Sequence, residues 1–161
     1  YSHLVKPLWV RPVSSPPYNL PVAKGVKARK GLKYEAKVHD YFLGQYGLRY
    51  FPGQWWMYGT GTYQTAPRYC QTDGLWIDEA RRRLVLLEVK YSHTASAYWQ
   101  MENLYVPVLQ RYFGKDRFAL CTVEVVKWYD CAVACPRRPV LRESLEDVRP
   151  GEFAVHILNR E

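Results

Sequence analysis

Gln71-Thr72-Asp73-Gly74-Leu75-Trp76-Ile77-Asp78, Glu79-Ala80-Arg81-Arg82 and Arg83-Leu84-Val85-Leu86-Leu87-Glu88-Val89-Lys90 follow one another without a break. The first and third blocks read as strands and the middle one as a polar turn, which predicts a β-hairpin. If Asp78 faces Arg83, each outward step pairs one residue further back with one further on. Asp73 then lies opposite Glu88, and Gln71 opposite Lys90. Alternation puts Glu88 and Lys90 on one face of their strand, and Asp73 joins them across the ladder. Val85, Leu87 and Val89 on one side, with Leu84 and Leu86 on the other, mark a central strand buried on both faces.

Charges at the end of such a strand cost desolvation unless they are paired or bound to a metal. A plain reading is an ion pair, Lys90 with Glu88 or with Asp73. A sharper one is a divalent-cation site, because two carboxylates offer the oxygen ligands that suit Mg²⁺. A lysine beside that cation can orient or help deprotonate an attacking water.

Elements fall on either side of this hairpin. Ala28 to Tyr46 predicts an amphipathic helix with Leu32, Ala36, His39, Phe42, Leu43 and Tyr46 as its buried stripe. Lys30, Lys33 and Lys37 line another face, and Glu35 sits at the edge of the apolar side. A first strand is expected within Leu48 to Tyr58, interrupted at Pro52-Gly53. After Lys90, Ser92, Thr94 and Ser96 offer N-cap hydroxyls. A helix over Ala95 to Phe113 follows, with a kink or break at Pro107. Phe118 to Val126 closes the series as a buried strand. The order α-β-β-β-α-β predicts an α/β fold, a mixed central sheet flanked by helices, with the second helix crossing between parallel strands.

An Asp, a hairpin and then Glu-x-Lys, here Asp73 with Glu88-Val89-Lys90, resembles the PD-(D/E)xK nuclease superfamily. Its restriction-endonuclease-like core has the same element order, and the resemblance spans about Arg29 to Val126. The pattern is nearest to Holliday-junction-resolvase-like and RecB-like members. Thr72 stands where that family usually has proline before the Asp. The resemblance implies a Mg²⁺-dependent DNA endonuclease, with Mn²⁺ able to substitute, leaving 5′-phosphate and 3′-hydroxyl ends. It implies that Asp73 and Glu88 hold the metal, helped by Glu35 and the Val89 carbonyl, and that Lys90 orients water. Glu35 enters because Gly31-Leu32-Lys33-Tyr34-Glu35 matches a Gly-x-x-x-Glu pattern of the family's first helix. Without that match, Glu35 reads as a helix carboxylate paired with nearby lysines. Gln100 takes the place of a glutamine that several branches keep near the active site. Tyr105 follows it by five residues, unlike the RecB-type spacing, which favours an endonuclease or junction resolvase over an end-dependent exonuclease. A non-catalytic nucleic-acid-binding subunit with a nuclease fold, or a protein-interaction domain, are the readings from other classes.

The formal charge of +8 and pI of about 9.4 favour a polyanionic partner. Lys24, Lys27, Arg29 and Lys30 lead into the first helix, where with Lys33 they are placed to contact DNA phosphates. His93, just past Lys90, reads as a loop-surface histidine or as a contact to a phosphate. Aromatic residues make up 16% of the chain. Trp55, Trp56, Tyr58, Tyr63 and Tyr69 cluster around Gly59-Thr60-Gly61-Thr62, as core packing or as a loop that stacks on unpaired bases.

Residues 1–26 carry five prolines and read as an arm, 27–130 as the core and 131–161 as an extension packed on it. The chain opens on Tyr1 rather than Met, which leaves room for a segment upstream. No stretch approaches a membrane span and no secretory signal is visible, so a soluble intracellular setting is expected, cytoplasmic or nucleoid-associated, including a phage or mobile element. Double-strand cutters often dimerise, so a homodimer is one expected state. Cys70, Cys121, Cys131 and Cys135 contain no Cys-x-x-Cys pair, which speaks against an iron–sulfur cluster and for buried free thiols, a Cys131–Cys135 disulfide being the alternative. No Gly-x-Ser-x-Gly elbow or nucleotide-binding fingerprint is present.

Overall fold

The computed structural model describes residues 3–22, 24–61 and 66–159. Tyr63 and Thr62, two members of the aromatic and glycine-rich cluster, lie outside the described residues. Among the described residues the chain forms an α/β fold around one mixed seven-stranded sheet. Its strands are β1 (Trp9–Val13), β2 (Tyr50–Gly59), β3 (Arg68–Asp78), β4 (Arg83–Ser92), β5 (Ala119–Trp128), β6 (Val140–Leu141) and β7 (Phe153–Ile157). The spatial order is β1-β2-β3-β4-β5-β7-β6. The pairs from β1 to β4 are antiparallel, while β4–β5, β5–β7 and β7–β6 are parallel.

Helix α1 (Val26–Tyr46) covers one face of this sheet. The other face carries α2 (Ala95–Gln100), a π-helical turn over Met101–Tyr105, and α3 (Val106–Phe113). β4 is the centre of both layers. Val85, Leu87 and Val89 pack against Tyr34, Val38 and Phe42 of α1. Leu84 and Leu86 pack against Ala97, Met101, Leu104, Val108 and Leu109. That double burial is what the unbroken apolar run of β4 predicts.

The hairpin closes with Asp78 opposite Arg83, as the sequence predicts. Asp78 is buried and accepts from Arg83 Nη2 at 2.9 Å and Arg81 Nη1 at 3.1 Å. Those bonds pin the turn, where Arg82 takes a φ of 53°. The expected pairing of Asp73 with Glu88 and of Gln71 with Lys90 does not form. The β3–β4 ladder ends at Gly74 and Leu87, and the strands part beyond it.

Two further expectations are corrected by packing. The buried stripe of α1 is Tyr34, Val38 and Phe42, while Leu32 is 54% and Leu43 40% exposed, and Ala36 is exposed too. Rows at i, i+4 and i+8 face one way, and the larger aromatic residues take the side turned to the sheet. The break in the second helix comes as the π turn from Met101 to Tyr105, ahead of Pro107. The sheet also extends beyond the 27–130 segment, because β1 pairs with β2, and β7 pairs with β5. Thr94 is the N-cap of α2, its hydroxyl accepting from Ser96 N at 3.2 Å.

Gly74 is dictated by space. A Cβ there would lie 2.4 Å from the Tyr50 hydroxyl and 3.1 Å from its ring. Tyr50 is buried and bonded through that hydroxyl to His39 Nδ1 at 2.7 Å, so it has little freedom to give way. Gly74→Ala is therefore expected to cost about 1–3 kcal/mol, read as a lower urea midpoint at unchanged m-value. An unchanged midpoint would show that Tyr50 yields easily.

Candidate functional site

The parting of β3 from β4 opens a cleft at the end of the hairpin. Asp73 stands at the fork, and its Oδ2 accepts from Val89 N at 2.8 Å. A side chain thus takes the acceptor role that the β3 backbone gives up. Glu88 is 3% exposed, and one of its oxygens, Oε1, lies 3.5 Å from Lys90 Nζ. The ion pair expected of Lys90 and Glu88 is therefore present. Further walls of the cleft include Glu35 on α1, Gln71 on β3, and Gln100, Leu104 and Tyr105 from the helical layer. The space enclosed is about 390 Å³.

Three buried side-chain polar atoms lack a partner among the described residues: Arg83 Nε, Glu88 Oε2 and Gln100 Oε1. Two of the three belong to residues lining this one cleft. Both are oxygen acceptors, and a buried acceptor without a donor costs about 1–3 kcal/mol. A cation beside Asp73 would satisfy the Glu88 oxygen, and a water in the same cleft could donate to Gln100. The donor set, all oxygen and anionic at two positions, fits Mg²⁺ or Mn²⁺.

The electrostatics agree. Burial first, and then the charge of Glu35, push Asp73 up to about 6, against the pull of the Val89 N–H, Glu88 and Lys90. Glu88 is raised well above the usual carboxylate range, by burial and then by Asp73, with Lys90 opposing. The two carboxyls repel as a doubly charged pair, and Lys90 relieves this only in part.

Glu35 does not complete a three-acid cluster. Its Oε1 is 3.3 Å from His39 Nε2, one helical turn on. No group of three or more His, Cys, Asp or Glu side chains is disposed to hold a metal among the described residues. The fit is thus to a cation held by Asp73 and Glu88, with backbone, water or substrate oxygens filling the rest, which is the usual way Mg²⁺ is bound.

His93 departs from its expected role. It is buried at 4% exposure, with Nδ1 2.5 Å from Glu124 Oε1, so the ring faces the interior and not a phosphate. Lys24, Lys27, Arg29, Lys30 and Lys33 are all exposed. Trp56 and Tyr58 are core residues of β2, whereas Trp55 and Tyr69 line the cleft beside Tyr18. Tyr69 meets Tyr18 edge-on at 6.0 Å. The sequence reading missed Tyr18, which comes from the proline-rich arm, and the chain Glu35–His39–Tyr50. The four-residue spacing of Glu35 and His39 was the available signal for that chain. All four cysteines are free thiols, and Cys131 and Cys135 are not bonded to each other.

Comparison with known protein families, curated proteins and solved structures finds no match. No helix among the described residues is long and apolar enough to cross a membrane.

The raised carboxyls carry a stability consequence. The folded chain keeps a proton that the unfolded chain has released, so stability falls as pH climbs from 3.8 to about 6 through Asp73. Asp73→Asn keeps an acceptor for Val89 N and removes one of the repelling charges. In metal-free buffer it is expected to raise stability by about 1–3 kcal/mol at pH 8 and to change little at pH 4. Thermal unfolding at the two pH values checks this. A loss of stability at pH 8 would mean that the carboxylate is needed for the fold.

Proposed function

We propose that the chain is a metal-dependent nuclease of the PD-(D/E)xK type with a restriction-endonuclease-like core, hydrolysing phosphodiester bonds of DNA. The observation that carries this reading is Glu88, buried beside Asp73 and Lys90 in an open cleft, with an Oε2 that no donor among the described residues meets. A structural ion pair of Lys90 with Glu88 would not need Asp73 at the same place, nor leave an oxygen unused.

Asp73 and Glu88, with the Val89 carbonyl, would hold the cation. A divalent cation bound there supplies Lewis-acid stabilisation of charge on the phosphoryl oxygens and makes water more acidic. Lys90, 29% exposed in its side chain, reaches from the buried pair towards the opening. It can orient a water against the phosphorus and offset the charge that builds on the phosphate. Gln100, with Oε1 unpartnered, can accept a hydrogen bond from that water. The basic surface of α1 adds affinity that falls with salt.

The test is nicking of supercoiled plasmid with Mg²⁺, Mn²⁺ or EDTA. The panel also includes linear duplex, single-stranded and four-way-junction DNA. Cleavage with either metal and none with EDTA is expected, and no cleavage of any substrate would sink the reading. The engagement of Glu35 by His39 favours one alternative, a nucleic-acid-binding subunit with this fold that does not cut. Its expected result is binding without cleavage across the panel.

A further inference from the structure

The end of β4 separates two cavities of opposite character. Lys90 lines the acidic cleft, and Tyr91, the next residue, lines the other. On α1 the consecutive residues Tyr34 and Glu35 divide in the same way. The second cavity, about 240 Å³, is lined by Lys30, Lys33, Tyr34, Lys37, Tyr91 and Lys127. None of the six is acidic, and none of the four lysines joins an ion pair among the described residues.

Its floor is rigid. Tyr34 is buried and donates its hydroxyl to the Leu158 carbonyl at 2.7 Å. Tyr91 meets Tyr34 edge-on at 5.9 Å and 81°, and the Lys127 ammonium sits 5.5 Å from the Tyr91 ring. Four ammonium groups around one hollow repel each other unless an anion enters. Alternation turns Lys90 and Tyr91 to opposite faces of β4. Glu35 and Tyr34 divide between the same two cavities, so a strand that occupied both would pass around the end of β4.

We infer that this lysine groove receives the phosphate backbone flanking the phosphate that a cation at Asp73 and Glu88 would engage, so that a nucleic-acid strand crosses the end of β4. The inference rests on the proposed nuclease reading for which phosphate reacts, but the groove's affinity does not depend on cleavage. Contacts of this type set register and orientation without reading bases.

The experiment measures binding of a labelled DNA duplex in EDTA at several salt concentrations, for wild type, Lys33→Ala/Lys127→Ala and Lys33→Arg/Lys127→Arg. Plasmid cleavage and sedimentation with phosphatidylserine vesicles are run on the same proteins. The alanine pair should flatten the slope of log K against log salt by about 2, and the arginine pair should keep the wild-type slope. An unchanged slope in the alanine pair overturns the groove, even if plasmid cleavage upholds the nuclease reading. A flattened slope with no cleavage by wild type upholds the groove and removes the nuclease. Lysine-dependent binding to vesicles without binding to DNA overturns the inference in favour of an acidic membrane.

Discussion

Glu88→Gln is expected to lower metal-stimulated plasmid cleavage by about 10³-fold or more, equivalent to roughly 4 kcal/mol of transition-state stabilisation. The substitution keeps the size and shape of the side chain, removes its negative charge and replaces one of its two oxygens with an amide donor. Glu88 is nearly sealed from solvent and has one oxygen that no donor meets, so its loss removes one of the two carboxylates proposed to hold the cation. Lys90→Ala should cost less, about 10²-fold, because it removes orientation and charge offset while leaving both carboxylates. Lys90→Arg should recover part of that loss. Because Glu88 and Lys90 touch at 3.5 Å, their effects should not add, and the double variant should fall little below Glu88→Gln alone. Initial nicking rates at saturating Mg²⁺, with thermal unfolding of each variant alongside, measure this. Near-wild-type cleavage by folded Glu88→Gln would mean that any nuclease activity resides elsewhere.

Glu124→Ala is expected to destabilise the chain by about 3–5 kcal/mol, the largest single effect on folding foreseen for it. Glu124 lies opposite Glu88 in the β4–β5 register and is fully buried. Its Oε1 meets His93 Nδ1 at 2.5 Å, and its Oε2 accepts from Thr94 N at 3.0 Å. Burial, the main cause, raises its pKa, although His93 and the Thr94 N–H both oppose the rise. The pair therefore compensates desolvation rather than adding a large surplus, and removing one member leaves the other buried without its main partner. His93→Ala should cost a similar amount, while His93→Phe with Glu124→Leu should recover much of it. Urea unfolding of the four proteins as a double-mutant cycle gives the coupling. A loss below about 1 kcal/mol for either single variant would show that water or local rearrangement satisfies the survivor.

The same contact bears on the site. His93 and Thr94 join Lys90 at the end of β4 to α2, which carries Gln100. Loosening that link should reduce cleavage in Glu124→Gln more than it reduces stability.

Much of the architecture was legible in the residues. The unbroken apolar run from Leu84 to Leu87 announces a strand buried on both faces. The polar turn after Asp78 sets a register whose first pairs form as expected, and Thr94 caps α2 as a hydroxyl before a helix should. These features are local, and alternation or capping chemistry is enough to read them. The stripe of α1 was misjudged because several apolar residues lie on adjacent faces, and contact with β4 alone chooses among them.

Chain order and side-chain type were enough to name Asp73, Glu88 and Lys90 as a group, because period-two alternation carries across a hairpin. Their actual meeting depends on something alternation does not encode: β3 leaves β4 after Gly74, and the Asp73 carboxylate bonds to Val89 N across the gap. Folding also settled the contrasting fates of Glu35, turned towards His39, and of His93, drawn inside by Glu124. Each is decided by a partner on the same or a distant segment competing for one polar group in a region of low dielectric.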